Sequence, residues 1–250
     1  MLALLCGCDG VFGLHELHVP AGDAPPPPSN FEVVQEAHAH SSGTSSAITY
    51  PLMVPDGTDR VLLLHIALGS NCPPGSISLA NVVTFTYAGM TPTRLERIVG
   101  TTCSANGSSS EVWMLVNPPV GTADVALSLN TPVQSIHSAA IVITGVDTAT
   151  PSRGCVQLRQ TGDAAVVVAP SNPGDLVVSV VAQGTGIKDA GTTGELLYVD
   201  NVNDFTTLNN SAASTLEGKG PDVLSTWNFT GNDEWHSIVC SLRPAPPTPP

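Results

Sequence analysis

The amino-acid sequence predicts an all-β protein, a two-sheet antiparallel sandwich that is jelly-roll-like. Three observations carry that prediction. Short apolar runs recur along the chain, punctuated by 23 glycines and 22 prolines. Several of these runs alternate with a period of two, which lines one face of a strand with apolar side chains. Charged residues make up only 12% of the 250, against 42% hydrophobic, a composition with ample core and many turns. No window of helical length keeps a period near 3.6 residues.

The elements follow in order. Phe31 to His40 reads as the first strand and stops at Ser41-Ser42-Gly43. Ile48 to Val54 comes next, and Pro55-Asp56-Gly57 turns the chain into Arg60 to Leu68. That run is apolar on both faces, as in a central strand. Val82 to Tyr87 and Arg94 to Val99 are followed by Glu111 to Val116, which ends at Asn117-Pro118-Pro119. Proline cannot donate to a ladder and holds its predecessor extended, so the strand stops there. Gly121 permits a turn into Ala123 to Leu129, where Ala123, Val125, Leu127 and Leu129 alternate with Asp124, Ala126 and Ser128. Asn130-Thr131-Pro132 breaks the chain again before Ser135 to Val146. Strand, proline break, strand is antiparallel meander grammar. Val156 to Arg159, Ala164 to Ala169, Leu176 to Ala182, Leu196 to Val199, Ala212 to Leu216, Ser225 to Phe229 and Trp235 to Leu242 complete the set. The Gly- and Thr-rich stretch from Gln183 to Gly194 reads as a connecting loop, and no short tandem repeat is visible.

The pieces VPDGTDRVLLLHIAL, VVTFTYAGMTPTRL, EVWMLVNPPVGTADVALSL, IVITGVDTATP, GDLVVSVVA and EWHSIVCSLRPA resemble those of secreted bacterial β-sandwich domains. The resemblance covers Ile48 to Arg243, implies the fold, and brings no catalytic motif with it. Leu5-Cys6-Gly7-Cys8 resembles a bacterial lipobox, and the DGVFGLHELHVP after it resembles the start of myxobacterial lipoproteins. That likeness implies export and acylation at Cys8. Met1 to Cys8 itself has no basic residue and is shorter than the usual signal core. No stretch approaches the roughly 18–20 apolar residues of a membrane helix, so membrane association is expected through a lipid anchor alone. The organisation expected is a lipoprotein segment over residues 1–18, a proline-rich linker over 19–30, one sandwich domain over 31–243 and a proline-rich tail over 244–250, outside the fold. The four prolines in VPAGDAPPPPSN favour an extended spacer that rises about 3.1 Å per residue.

The formal net charge is −13, from 8 Lys+Arg against 21 Asp+Glu. With no basic stripe, nucleic acid is excluded as a partner. The expected partner is a glycan or other cell-surface polymer. Of six cysteines, Cys72 and Cys103 sit in polar, turn-rich loops and are expected to pair, leaving Cys155 with Cys240; an exported chain favours disulfides, and four cysteines allow three pairings. Ca2+ needs several oxygen ligands, and the best runs are Asp200-Asn201-Val202-Asn203-Asp204 and Gly231-Asn232-Asp233-Glu234. Asp200, Asn203, Asp204 and Asp233 are therefore candidate metal ligands.

Seven histidines raise a second metal reading. His38 and His40 share a strand face and suit one ion together, while His65, His137 and His236 lie on other strands. For stacking on a sugar, Trp113 and Trp235 read as core and Trp227, between Thr226 and Asn228, as the exposed candidate, with Asn228 beside it. There is no GxSxG elbow or other nucleophile motif. The expected role is non-catalytic: surface attachment, structure or weak glycan binding. The alternative is a polysaccharide-acting hydrolase or lyase with two acids in a sheet groove, drawn from Glu111, Glu195, Glu217 and Glu234.

Overall fold

The runs of alternating and apolar residues fold into fourteen antiparallel strands in the computed structural model, which describes residues 31–41, 43–69, 80–100, 108–191, 194–201 and 210–247. They are β1 (Glu32–His40), β2 (Ser45–Val54), β3 (Val61–Gly69), β4 (Val82–Tyr87), β5 (Thr93–Val99), β6 (Ser108–Val116) and β7 (Gly121–Val133). The remainder are β8 (Ile136–Thr144), β9 (Ser152–Pro170), β10 (Leu176–Gln183), β11 (Ile187–Asp189), β12 (Glu195–Asp200), β13 (Asn210–Glu217) and β14 (Asp222–Leu242). One sheet has the order β1-β8-β3-β6-β5 and a second β2-β7-β4. The third runs β11-β14-β10-β13-β12, with β9 paired to β14.

β9 and β14 are long, at 19 and 21 residues, because both pass through a corner. Their pairing shifts register between Asn228 and Asp233. Beyond the corner, residues 164–170 and 222–229 fold back over β10, where Ser179 Oγ accepts hydrogen bonds from Ser225 Oγ at 2.7 Å and Trp227 Nε1 at 2.9 Å. When each long strand is taken as two limbs, the second half of the chain repeats the first. Residues 152–162, residues 233–242, β10, β13 and β12 stand in the order of β1, β8, β3, β6 and β5. Residues 164–170, residues 222–229 and β11 stand in that of β2, β7 and β4. Each half is thus an eight-stranded sandwich in which successive strand pairs cross between two layers, the winding of a jelly roll.

The registers repeat as well. A bulge on β5 between Arg94 and Glu96 has its counterpart on β12 between Leu196 and Tyr198. His137 faces His40 and Ala67 across its two ladders, and His236 faces Arg159 and Ala182. The duplication is of strand order and register. One domain expected over 31–243 therefore consists of two sandwiches.

Three cores hold the layers. β3 is buried along its whole length, as an apolar run interrupted only by His65 predicts. Leu62, Leu64, Ile66 and Leu68 pack towards β2, β4 and β7 with Phe85, Val125 and Leu127. On the opposite face Val61 and Leu63 join Val112, Ile141 and Ile143 against Val178, Val180, Ile238 and Leu242. This joint between the sandwiches is pseudo-symmetric, with β1 against β12 and β5 against β9. The third core lies under the folded-back hairpin around Trp227, Phe229 and Trp235. Fully burying one such aliphatic or aromatic side chain contributes roughly 1.5–3 kcal/mol, so each layer is held by many comparable increments.

The expected Cys155–Cys240 bridge is present, between directly opposed residues of β9 and β14 whose Cα atoms are 4.1 Å apart. Cys72 and Cys103 lie outside the described residues, as does Cys8. The proline tail starts on the fold: Pro244 bridges to Val146, and Ala245 N donates to the Gly145 carbonyl at 2.8 Å.

Candidate functional site

A polar cluster occupies one end of the apolar joint. The period of two on β1 turns His38 and His40 to the same side. His137 at the start of β8 stands directly across the ladder from His40, and their rings are 5.6 Å apart. β12 brings Asp200 from the other sandwich. Asp200 Oδ2 lies 2.9 Å from His137 Nδ1 and 3.2 Å from His40 Nδ1. One nitrogen from each ring and a carboxylate oxygen all lie within 4.8 Å of one another.

A second histidine system underlies this one. His65 Nδ1 is 2.8 Å from the Tyr198 hydroxyl, and His65 Nε2 is 2.9 Å from Ser110 Oγ. With hydroxyls on both nitrogens, a neutral imidazole donates once and accepts once. Burial, with a smaller contribution from the charge of His137, takes the His65 pKa down to about 3. Burial likewise pushes the Tyr198 hydroxyl up. Tyr198 also stacks on His38 with centroids 5.1 Å apart and planes 20° from parallel, and His38 Nδ1 meets Glu36 Oε1 at 2.7 Å.

Asp200 differs from the other two buried acids of the described residues. Glu111 lies 3.1 Å from Arg97 Nε, with Arg94 Nη1 at 3.8 Å and Trp113 Nε1 donating to it at 2.9 Å. Burial nevertheless outweighs those contacts and raises its pKa. Asp175 accepts from Arg153 at 2.5 and 3.0 Å. Asp200 has two imidazoles and no arginine or lysine partner among the described residues. Burial acts to raise its pKa, and hydrogen bonds and charge from His137 and His40 overcome that, so the net direction is down and the group is a carboxylate.

Of the four residues expected as calcium ligands, only Asp200 belongs to this cluster, where His40 of the expected histidine pair joins it. Asn203 and Asp204 lie outside the described residues. Among the described residues Asp200 meets two imidazoles, because the joint places β1 against β12. Asp233 is half-buried, and its carboxylate accepts from the Glu234 amide at 2.9 Å. The His38–His40 chelate divides: His40 meets Asp200 while His38 meets Glu36 and Tyr198. His236 pairs with Glu234 at 3.0 Å in the position equivalent to His137. Comparison with known protein families, curated proteins and solved structures finds no match.

Trp227 is not the exposed platform expected of it. Its ring is completely buried beneath the folded-back hairpin and its indole donates to Ser179. The alternation that buries Ser225, Trp227 and Phe229 exposes Asn228, which donates to Asp189 at 2.7 Å. Trp235 is buried as expected, and Trp113 is half-buried with Arg94 over its ring at 5.5 Å. Among the suspected acids, Glu111 is locked to arginines and Glu234 to His236, while Glu195 and Glu217 line one open groove of about 680 Å³ with Asp222 and Lys219.

The cluster can hold a cation or relay a proton between Asp200 and its two imidazoles. His40 and His137 are the residues that reasoning from spacing along one strand does not assemble. Their signal is a register: His40 ends β1 and His137 begins β8, at matched ends of adjacent antiparallel strands.

Proposed function

We propose that this chain is an exported, non-catalytic attachment or structural module of the cell envelope: a double jelly-roll body carried on a lipid-anchored proline stalk. The observation that carries the reading is the pair of sandwiches fused through a continuous apolar joint, a body stiffened against bending between its halves. The Cys155–Cys240 bridge suits an oxidising compartment, where disulfides persist. The net charge of −13 suits a soluble envelope surface. With Trp227 and Trp235 in the core, attachment and structure stand ahead of glycan stacking on tryptophan.

The test uses the full chain in a bacterial host with a lipoprotein export pathway. Expected are partition into the membrane fraction, incorporation of labelled fatty acid that Cys8→Ala abolishes, and no release of reducing ends from a panel of extracellular polysaccharides. A cytosolic, unacylated protein overturns the envelope role. Release of reducing ends instead favours a polysaccharide-acting enzyme, for which the groove beside Glu195 and Glu217 is the specific support. Glu195→Gln and Glu217→Gln then abolish that release.

A further inference from the structure

We propose that His40, His137 and Asp200 bind one divalent transition-metal ion of the zinc class, and that this ion clamps the two sandwiches together at one end of their joint. The argument begins with charge. Asp200 is a buried carboxylate, 8% exposed, and buried charges are stable only when paired or bound to metal. The two comparable acids, Glu111 and Asp175, have arginines. Asp200 faces two imidazoles where those acids face guanidinium groups; a metal cation supplies the balance that arginine supplies there and takes the imidazole nitrogens as ligands.

Geometry and ligand chemistry point to the same ion. Bond lengths of about 2.0–2.1 Å in a tetrahedral zinc site put its nitrogen and oxygen donors about 3.3 Å apart. The Asp200 oxygen lies 2.9 and 3.2 Å from the two imidazole nitrogens, so small adjustments seat the ion. Two imidazoles and one carboxylate suit zinc and its neighbours, whereas calcium takes six to eight oxygens. The side chain of His40 is 41% exposed, which leaves an approach for the ion and a fourth position for water or an outside ligand. His137 is 1% exposed and fixes one side of the site from within.

The pseudo-symmetry supplies an internal control. The positions equivalent to His40, His137 and Asp200 at the other end of the joint are Arg159, His236 and Ile98. Ile98 has no donor and Arg159 spends its guanidinium on the Val99 carbonyl, so that end binds no ion. One ion per chain is therefore expected. The proposal stands apart from the envelope role, since it concerns binding and not location.

The test is calorimetric titration of Zn2+ into chelator-stripped full-length protein, with Co2+ absorption as a probe of coordination. Expected are one site per chain, a visible Co2+ band of tetrahedral intensity and a rise in thermal midpoint with added Zn2+. Asp200→Asn and His40→Ala each weaken binding at least tenfold; His40→Ala, at an exposed position, keeps the fold, which circular dichroism checks. His15→Ala/His18→Ala binds like the parent, because those histidines belong to the lipoprotein segment expected over residues 1–18. Absence of binding at millimolar Zn2+, or unchanged affinity in Asp200→Asn and His40→Ala, overturns the proposal.

Discussion

Loss of the Cys155–Cys240 bridge should weaken the second sandwich far more than a single contact would. The cysteines are 85 residues apart in sequence, and the loop between them contains nearly all of that sandwich. Closing a loop of that length in the unfolded chain removes entropy worth about 4.5 kcal/mol at 25 °C in the chain-entropy account. A domain of this size loses about 2–4 °C of thermal midpoint per kcal/mol, so the shift expected is roughly 9–18 °C. The perturbation is the double variant Cys155→Ala/Cys240→Ala, which leaves Cys72 and Cys103 untouched. The assay is thermal unfolding with and without the bridge, followed by tryptophan fluorescence, since Trp227 and Trp235 lie in the core of the bridged half. A parallel measurement on the reduced, refolded parent separates loss of the bridge from the volume lost with Cys240, which is 1% exposed. Midpoints that coincide for bridged and unbridged protein would refute the reasoning, as would free thiols at both positions in protein made in an oxidising compartment.

Three further outcomes follow from individual side chains. His65 binds its proton in the unfolded chain near pH 6.5 and in the folded one only near pH 3, so stability is complete above about 6.5 and falls as acid is added. Each pH unit through that window removes up to 1.36 kcal/mol, and urea midpoints from pH 7 to 4 should fall less steeply in His65→Gln. Trp227→Ala should cost about 3–5 kcal/mol, read by thermal unfolding, and leave any glycan retention unchanged. Loss of glycan retention with stability intact would instead make Trp227 a surface platform. Glu111→Gln keeps the shape but removes the charge facing Arg97 and Arg94, and should cost about 1–3 kcal/mol by denaturant unfolding. Unchanged stability there would mean the arginines are satisfied without it.

The strands were legible because proline and glycine mark where ladders must end. The break read between Arg159 and Ala164 falls on the corner of β9 at Gly162, and that between Phe229 and Trp235 on the corner of β14. β11 escaped because three residues, Ile187–Asp189, carry too little pattern to separate from a loop. The duplication escaped for another reason. Leu62, Leu64 and Ile66 correspond to Val177, Ser179 and Val181, so what repeats is strand order and register, not residue identity. Trp227 shows how neighbours mislead. Thr226 and Asn228 flank it with polarity, yet on a strand the neighbours in kind are Ser225 and Phe229, two residues away, and all three are buried. The His40, His137 and Asp200 cluster needs a ladder register and a joint between sandwiches, and neither is written in spacing along the chain.

The same pseudo-symmetry allows a test that builds rather than removes. The empty end of the joint already has His236 at the position equivalent to His137, on a strand of the same register. It lacks a carboxylate where Ile98 stands and an imidazole where Arg159 stands. Ile98 is buried in the joint, so an aspartate there has to find a counter-charge, as Asp200 does. Replacing Ile98 by Asp alone should therefore destabilise by several kcal/mol, the cost of an unpaired buried charge. Replacing Arg159 by His at the same time adds the second imidazole, and Zn2+ should then recover much of the loss by binding the folded state in preference to the unfolded one. The expected reading is a stoichiometry of two ions per chain in Ile98→Asp/Arg159→His and one in the parent. A double variant that binds only one ion and gains no thermal midpoint from Zn2+ would show that His236 is held too firmly by Glu234, 3.0 Å away, to serve as its counterpart does. The two ends of the joint would then be alike in backbone alone.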